Sequence, residues 1–346
     1  MDDTQQAAQS ASDLPPARDL PKALARYREP DHLRSVFELV VTVVPFVALW
    51  VAAWWALSIS YWLTLAICVP AAAFQVRVFL IQHDCGHAAF FRRKSHNDWV
   101  GRILVVLTLT PYYVWQRDHA AHHATSGNLD RRGVGDIDMM TVREYRAAPR
   151  MRRILYQLYR HPLVLFGIGP AYQFLLRNRL PMGFRDGDRR FWISTMGTNA
   201  SAAVVIGIMI YFLGAGPFLL VQLPITLLAA SAGVWMFYVQ HQFEETYWDR
   251  SEDWKLHDAA LFGSSHYDLP GILPWLTANI GVHHVHHLSS RIPYYRLPQI
   301  LRDFPELTNV RRLTLMQSLA CVKFRLWDEN RRKLVSFAEA RALPAD

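Results

Sequence analysis

The chain has 346 residues, of which 51% are hydrophobic, 13% are aromatic and only 19% are charged. This balance favours a membrane protein with substantial parts outside the bilayer over a pair of soluble domains. The formal net charge of +8 arises without a long Lys/Arg run, which argues against nucleic acid as a partner and favours anionic lipid headgroups.

The first 35 residues are predicted to form a polar N-terminal tail. They contain four prolines and no apolar run, so no signal peptide is expected. Within this tail, residues 1–25 are rich in Gln, Ser, Ala and Pro, and they are expected to be disordered or loosely attached.

Four apolar stretches are long enough to cross a bilayer as helices, namely residues 39–59, 61–82, 191–213 and 217–240. Short turns separate the first from the second and the third from the fourth, so the four stretches should form two hairpins. Arg77, near the end of the second stretch, is expected to extend its side chain toward the membrane surface. The sequence therefore predicts an all-α integral membrane fold with four transmembrane helices.

Two tight hairpins place both termini and the residues between the hairpins on one side of the membrane. Residues 83–190 contain 18 basic and 9 acidic residues, and the positive-inside rule makes this side cytoplasmic. We therefore expect a cytoplasmic helical cap formed by residues 83–190 and 241–300, followed by a cytoplasmic segment over 301–346. Within the cap, residues 101–115 and 161–176 are short apolar segments that should form shallow or interfacial helices.

Nine histidines, not counting His284, form three clusters and one isolated position. The clusters are HDCGH at 83–87, HAAHH at 119–123 and HHVHH at 283–287, and the isolated residue is His241 at the end of the fourth stretch. Residues three or four apart lie on one face of a helix, so each cluster can aim two or three imidazoles at one point. Imidazole suits iron, copper, zinc and nickel, and nine rings exceed the needs of one tetrahedral ion. The pattern predicts a site for two metal ions.

The three cysteines are scattered along the chain. They offer no disulfide framework and no paired thiolates, which argues against structural zinc and against an iron–sulfur cluster.

The stretches around these histidines resemble the histidine boxes of bacterial membrane fatty acid desaturases. The matching stretches are HDCGHAAFF, HAAHHATSGNLDRRGVGDI, FYVQHQFEETYW and NIGVHHVHHLSSRIPYYRL, together with YRHPLVLFGIGP and FLLVQLPI between them. The nearest likeness is to acyl-lipid desaturases of the Δ5 and Δ12/ω6 types. The resemblance implies a four-helix membrane desaturase domain over residues 36–300, in a bacterial inner (plasma) membrane, with both termini and a non-haem di-iron centre on the cytoplasmic side.

The resemblance also implies which residues bind the two iron ions. His241 resembles an additional ligand found between the second and third boxes of related enzymes, whereas His284 falls outside the spacing that starts at His283. Animal acyl-CoA desaturases have an Asn four residues before the additional histidine, where this chain has Phe237, so Asn279 is a weaker polar candidate near the site. The implied ligands are His83, His87, His119, His122, His123, His241, His283, His286 and His287.

Carboxylates are expected around the histidines, because a carboxylate that accepts the free ring N–H orients a metal-bound imidazole. Each candidate could equally cap a helix or carry a surface charge. The candidates are Asp84, Asp118, Asp136, Glu244 and Glu245.

Oxygen-dependent insertion of a cis double bond is the predicted reaction. Methylene C–H bonds have no acidity for a side-chain base to use, so their removal needs an oxidant made from O2 at iron, with two electrons from outside. The sequence has no Gly-rich dinucleotide turn, no haem-attachment motif and no cluster-binding cysteines. An external carrier such as ferredoxin or flavodoxin is therefore expected, and the resemblance favours an acyl chain carried on a membrane lipid.

Two other functions remain open at this point. The same ligand spacing would serve another membrane di-iron oxygenase, such as a hydroxylase or a carotenoid ketolase. A non-catalytic metal-binding membrane protein is a further alternative, although a transporter should have polar groups in the middle of its spans, and these spans are almost entirely apolar.

Overall fold

The computed structural model describes residues 16–181 and 188–344. Helices dominate these residues, and two small β-sheets lie among them. The helices are α1 Leu20–Ala23, α2 His32–Ala56, α3 Tyr61–Gly86, α4 Lys94–Thr108, α5 Tyr112–Thr125, α6 Val142–Ala147, α7 Arg150–Tyr159, α8 Gly169–Leu175, α9 Arg189–Leu213, α10 Ala215–His241, α11 Leu256–Phe262, α12 Leu273–Leu276, α13 His283–Leu288, α14 Leu297–Asp303, α15 Leu315–Ala320 and α16 Phe337–Ala342.

Among the described residues, four helices are long and apolar enough to cross a membrane: α2, α3, α9 and α10. They confirm the predicted integral membrane fold. At their C-terminal ends, two of them extend beyond the predicted apolar stretches: α3 continues to Gly86 and α10 continues to His241. The first histidine cluster and the isolated histidine therefore lie at the ends of two membrane helices.

The four long helices form two hairpins. Residues 57–60 join α2 to α3, and Gly214 joins α9 to α10. Gly214 has a φ of 84°, a conformation that glycine adopts at little cost. Trp50 of α2 donates its ring N–H to the amide oxygen of Gln222 of α10 at 2.9 Å, which connects the hairpins. The central helix of the four is α3. In the most apolar 18-residue stretch of each helix, 56% of the residues of α3 are buried, compared with 11% of those of α9.

The predicted apolar segment at 101–115 belongs to two helices, α4 and α5, and residues 109–111 separate them. Leu109 ends α4 in the left-handed region, with a φ of 53°. The amide of Gln75 in α3 donates to the Leu107 carbonyl at 2.8 Å, so α4 runs back along α3. The following helix α5 returns toward the end of α3 and carries the second histidine cluster. The other predicted apolar segment, residues 161–176, contains a π-helical turn at Val164–Ile168 followed by α8.

Five short strands were not predicted. They are β1 Met140–Thr141, β2 His266–Asp268, β3 Arg312–Thr314, β4 Leu326–Asp328 and β5 Lys333–Val335. One sheet has the order β1–β4–β5, with β1 parallel and β5 antiparallel to β4, and in the other sheet β2 and β3 are parallel. Strands of two or three residues are too short to give a readable alternation of apolar and polar positions. Both sheets pair the C-terminal segment with the histidine-bearing part of the chain.

The N-terminal segment differs from its prediction. Residues 1–15 lie outside the described residues, but Leu20, Leu24 and Tyr27 are buried in the main hydrophobic core. Their spacing of four and three residues places them on one face of a helical turn. The Tyr27 hydroxyl also hydrogen-bonds to the carboxylate of Asp303. The prediction of a loosely attached segment over residues 1–25 is therefore wrong for residues 16–25.

Arg77 also differs from its prediction. Its side chain does not extend to the membrane surface but is completely buried, in an ion pair with Glu38 of α2. A buried guanidinium is tolerated when a carboxylate and further hydrogen bonds compensate its lost hydration, and the neighbouring helix supplies that carboxylate.

Candidate metal centre

The nine predicted histidines come together in two groups. Within each group, the ring nitrogens that could bind a metal all lie within 4.8 Å of one another. We call them the five-histidine group and the four-histidine group. The five-histidine group is His83, His87, His119, His123 and His286, and the four-histidine group is His122, His241, His283 and His287.

Two of the three clusters are divided between the groups. In the second cluster, the i and i+4 residues His119 and His123 join the five-histidine group, while the i+3 residue His122 joins the other group. In the third cluster the assignment is reversed, because the i+3 residue His286 joins the five-histidine group. The sequence had suggested that each cluster aims all its rings at one point. Instead, each H-x-x-H-H cluster spans both groups.

Four helices bring the rings together, and glycines let them approach closely. The rings come from the end of α3, the last turns of α5, the end of α10 and the short helix α13. A Cβ atom on Gly86 would lie 2.5 Å from the ring of Trp115, so this glycine allows α5 to pack against the end of α3. A Cβ atom on Gly281 would lie 2.3 Å from the Tyr267 carbonyl oxygen, which allows the strand β2 to pass next to the start of α13.

The spacing of the rings fits metal coordination. Neighbouring Nε2 atoms lie 3.0–3.2 Å apart in both groups. Two ligands about 2.1 Å from one ion lie about 3.0 Å apart at a right angle and about 3.4 Å apart at a tetrahedral angle. The observed spacing is closer to the right-angled arrangement. Five converging rings also exceed the four ligands of a tetrahedral ion.

Hydrogen bonds on the far side of two rings engage their Nδ1 atoms and leave their Nε2 atoms facing each other. His241 must donate from Nδ1 to the Gly263 carbonyl oxygen at 3.1 Å, because a carbonyl only accepts. His122 donates from Nδ1 to the Asp136 carboxylate at 2.5 Å. In neutral rings, both Nε2 atoms then present lone pairs, and these atoms are 3.2 Å apart. Two lone pairs in contact repel, and a cation between them would convert the repulsion into two bonds. The arrangement is consistent with a metal site.

Burial keeps the rings in the form that binds metal. Loss of hydration lowers the pKa of each of six cap histidines well below its ordinary value, and the neighbouring imidazoles lower it further. Metal ligation requires the neutral imidazole, so the chain supplies ligands that are already deprotonated at neutral pH. The six histidines are His87, His119, His123, His283, His286 and His287.

Two of the predicted carboxylates contact the rings. Asp136 accepts from His122, as described above, and Asp84 accepts from His83 Nδ1 at 3.1 Å. Glu244 and Glu245 instead pair with Lys333 and Arg311, each at 2.7 Å. These two carboxylates therefore stabilise the cap rather than orient a ring.

The other two polar candidates are not bonded to a ring in the described part of the chain. Asp118 lies on α5, and burial raises the pKa of its carboxyl group. Asn279 is in the left-handed region with a φ of 53°, and its main-chain N–H donates to the Pro274 carbonyl at 2.7 Å. It shapes the turn that leads into α13. His284 lies outside both groups, as its spacing indicated, and its Nε2 is 2.9 Å from the Leu307 carbonyl oxygen.

Three aromatic residues form an apolar wall beside the rings. Phe79, Trp115 and Phe237 each precede a histidine of the groups by four residues, which is one helical turn. The ring of Trp115 stacks on His119 at 4.6 Å and contacts Phe79 at 5.6 Å. Phe237 lies 5.1–5.2 Å from two rings of the four-histidine group. Sequence analysis missed the first two residues, although their constant offset from a histidine was a usable signal.

The Gly263 carbonyl was also missed, and no sequence signal could have found it. Every residue has a main-chain carbonyl, so only the fold shows which one faces a ring.

Comparisons with known proteins agree with this geometry. The sequence model of the family described as "Fatty acid desaturase" matches residues 60–314, a range that contains all nine histidines. A "Fatty acid desaturase" of Bacillus subtilis (strain 168) is 45% identical over 328 residues, which cover 94% of this chain and 92% of that protein.

Two proteins of Synechocystis sp. are more distant relatives. The "sn-1 acyl-lipid omega-3 desaturase (ferredoxin)" is 25% identical over 64% of this chain and 61% of its own length. The "sn-1 oleoyl-lipid 12-desaturase" is 27% identical over 63% of this chain and 62% of its own length. The matched residues thus span about three fifths of each of these two relatives.

Proposed function

This chain belongs to the fatty acid desaturase family, and we propose that it inserts a cis double bond into an acyl chain of a membrane lipid, with O2 as the oxidant. We further propose that two iron ions carry the reaction, one in each histidine group. The observation that carries the metal part of this proposal is the pair of Nε2 atoms of His122 and His241, which face each other at 3.2 Å while the Nδ1 atom of each ring is hydrogen-bonded.

Iron fits the donor set better than zinc. A zinc ion accepts four ligands in a tetrahedron, whereas the five-histidine group offers five rings at nearly right-angled spacing. Imidazole is a good ligand for iron, and no Cys ligand that would favour zinc belongs to either group. When bound, iron supplies the O2-dependent oxidising chemistry that removal of unactivated hydrogens requires.

The residues of the chain then have three tasks. The nine rings hold the ions, and Asp84, Asp136 and the Gly263 carbonyl fix ring orientation by accepting the outer N–H. The apolar wall formed by Phe79, Trp115 and Phe237 excludes water and holds a stretch of acyl chain beside the rings. Because α3 and α10 end at the rings, the site lies where an acyl chain leaving the bilayer can reach it.

The acyl carrier and electron donor are proposed from chemistry and relatives together. The names of two relatives specify acyl-lipid and oleoyl-lipid substrates, and one of these names includes ferredoxin. We propose a lipid-bound substrate and a small acidic electron carrier for this chain as well. The acyl chain could instead be carried on coenzyme A or on acyl carrier protein. Supplying each of the three acyl donors to purified protein shows which one is desaturated.

An acidic carrier would dock on basic residues of the cap. Five arginines are candidates: Arg131, Arg132, Arg143, Arg152 and Arg153. The structure divides them. Arg132 and Arg143 pair with Glu144 and Glu329, and Arg131 is exposed on the loop that leads to Asp136.

Arg152 and Arg153 lie on α7, which has an unusual surface. Its exposed apolar side chains, Met151, Ile154, Leu155 and Leu158, lie on the face opposite the buried Tyr156. A helix with this pattern and flanking arginines suits a membrane surface. We therefore propose that Arg152 faces lipid phosphates, and that Arg131 and its loop face the carrier. Arg153 is half-buried on the Tyr156 side of the helix.

We propose that the histidine end of the fold is cytoplasmic in the bacterial inner membrane. The basic composition of residues 83–190 supports this orientation. In a variant without the native cysteines, a cysteine at Ser60 or Gly214 should react with an impermeant thiol reagent added to intact cells. A cysteine at Ser95 should react only after the membrane is broken, and labelling of Ser95 in intact cells would reverse the orientation.

Lipid analysis of an expressing host tests the function directly. Gas chromatography–mass spectrometry should show a new double bond in lipid acyl chains, and the product should disappear under anaerobic conditions. The inactive control is His241→Ala. A hydroxylated or keto product would identify another oxygenase, and unchanged lipids and pigments in a host with iron-loaded protein would favour a non-catalytic role.

A further inference from the structure

A completely buried ion pair joins the first two membrane helices below the metal centre. The side chains of Arg77 in α3 and Glu38 in α2 are 0% and 1% exposed. Arg77 lies nine residues before the end of α3, or about 13 Å along the helix axis. A charged pair buried this deeply is seldom the most stable choice for packing two helices, and it is often kept because it specifies one arrangement.

Arg77 and Glu38 each have further specific partners besides one another. Arg77 donates from Nε to the Thr42 hydroxyl at 2.9 Å and from its guanidinium to the Trp275 carbonyl. The guanidinium carbon also lies 4.1 Å from the centre of the Trp275 ring. Glu38 accepts a second ion pair from Arg34 at 2.7 Å. The pair therefore connects α2, α3 and the short helix α12, which precedes the third histidine cluster.

The pair connects to the metal centre through Tyr294. The Tyr294 hydroxyl donates to Glu38 at 3.1 Å, and its main-chain N–H donates to Asp84 Oδ2 at 2.7 Å. The other oxygen of Asp84 accepts from His83 Nδ1. A continuous series of contacts thus runs from Arg77 through Glu38, Tyr294 and Asp84 to a ring of the five-histidine group.

We infer that Glu38 and Arg77 are positioning residues for the ion of the five-histidine group. They hold Tyr294 in place, Tyr294 orients the Asp84 carboxylate, and Asp84 sets the angle and the tautomer of the His83 ring. The four-histidine group has its own supports, Asp136 and Gly263, and no contact with this series is found among the described residues. The inference rests on the proposed function for the presence of the two ions.

The test is metal binding to each group separately. Metal-free protein is titrated with Co²⁺ against a competing chelator, and the two binding steps are resolved by visible absorption. The main variant is Glu38→Gln combined with Arg77→Met, because removing both charges leaves no uncompensated charge in the interior. Contacts that orient a metal-bound histidine are worth about 10–100-fold in metal affinity. We expect about a tenfold loss at one binding step and no change at the other.

Two further variants keep the test decisive. Tyr294→Phe removes only the hydroxyl that contacts Glu38 and keeps the main-chain N–H to Asp84, so it should weaken the same step by several-fold even if the double variant folds poorly. Gln222→Leu is the matched control. It removes another buried contact between the hairpins, the hydrogen bond from Trp50, about 28 Å along α10 from His241, and it should leave both steps unchanged.

The outcomes separate this inference from the proposed function. Unchanged affinity at both steps in the folded double variant and in Tyr294→Phe would overturn the positioning role. Equal weakening of both steps, or the same weakening in Gln222→Leu, would also overturn it, because the effect would then be general. Wild-type protein that binds two ions but makes no desaturated lipid would refute the proposed function while the positioning role stands.

Discussion

The five-histidine and four-histidine groups achieve similar geometry by different means. The five-histidine group has more rings, but three of them, His87, His119 and His123, are only half-buried. One ring of this group, that of His83, has a carboxylate partner. The four-histidine group has fewer rings and is more buried, and outer hydrogen bonds fix two of its rings.

If each group holds one ion, as proposed, this difference makes the two ions inequivalent. Five rings leave one position of a six-coordinate ion free, and four rings leave two. The four-histidine group thus has fewer ligands but holds them more firmly. It is also the group that leaves more coordination positions free for a reactant. Loss of a ring, or of the carboxylate that orients it, should therefore affect one group more than the other.

Loss of a ring should have the largest effect. Replacement of any of His83, His119, His241 or His286 by Ala should abolish desaturation. His241→Ala removes one of only four ligands, so we expect iron to fall from about two atoms per chain to about one. Elemental analysis of the purified protein and lipid analysis of the host measure the two effects.

His284→Ala is the control for this series. His284 lies in the same cluster but outside both groups, so iron content should stay near two. A loss of iron equal to that in His241→Ala would contradict the assignment of ligands.

Loss of an orienting carboxylate should have the next largest effect. Asp84→Asn should weaken the ion of the five-histidine group, and Asp136→Asn should weaken that of the four-histidine group, each by about 10–100-fold. Chelator competition measures both. Glu245→Gln should change neither affinity, since Glu245 pairs with Arg311 on the surface. If both Asp variants weakened the same binding step, the two groups would not be separate sites.

Much of this arrangement could be predicted from the sequence. Long apolar stretches identified the four membrane helices, and histidine spacing identified all nine rings, because both signals are local. The division of each H-x-x-H-H cluster between two groups could not be predicted, since helical spacing shows which residues share a face but not where neighbouring helices lie. The partners of Arg77 could not be predicted for the same reason, because Glu38 and Tyr294 are 39 and 217 residues away along the chain.

The apolar wall should influence the product rather than the metal. Trp115 faces the five-histidine group, and Phe237 faces the four-histidine group. Trp115→Phe and Phe237→Leu each leave space beside one group, so the acyl chain can shift and the position of the double bond should change while iron content stays the same. Mass spectrometry of the positional isomers measures the shift. An unchanged isomer pattern in both variants would show that the wall does not hold the substrate.

Charge reversal on the cap should have the smallest effect. With the electron carrier limiting, Arg131→Glu should raise the carrier concentration needed for half-maximal rate by a few-fold. The substitution replaces a positive charge that attracts the acidic carrier by a negative charge that repels it. The effect should shrink at higher salt, where surface fields are screened within about 8–10 Å. Arg152→Glu is the matched control, since α7 is proposed to face lipid. Equal effects in the two variants would contradict separate lipid and carrier surfaces.

The central claim is that two iron ions in two histidine groups perform the desaturation. The most direct measurement is the iron and zinc content of aerobically purified protein, made on the same preparations whose desaturation rate is measured. We expect about two iron atoms per chain in fully active protein, and a rate that falls as iron is removed and recovers when iron is restored. Fully active protein that contains stoichiometric zinc and no iron would contradict it.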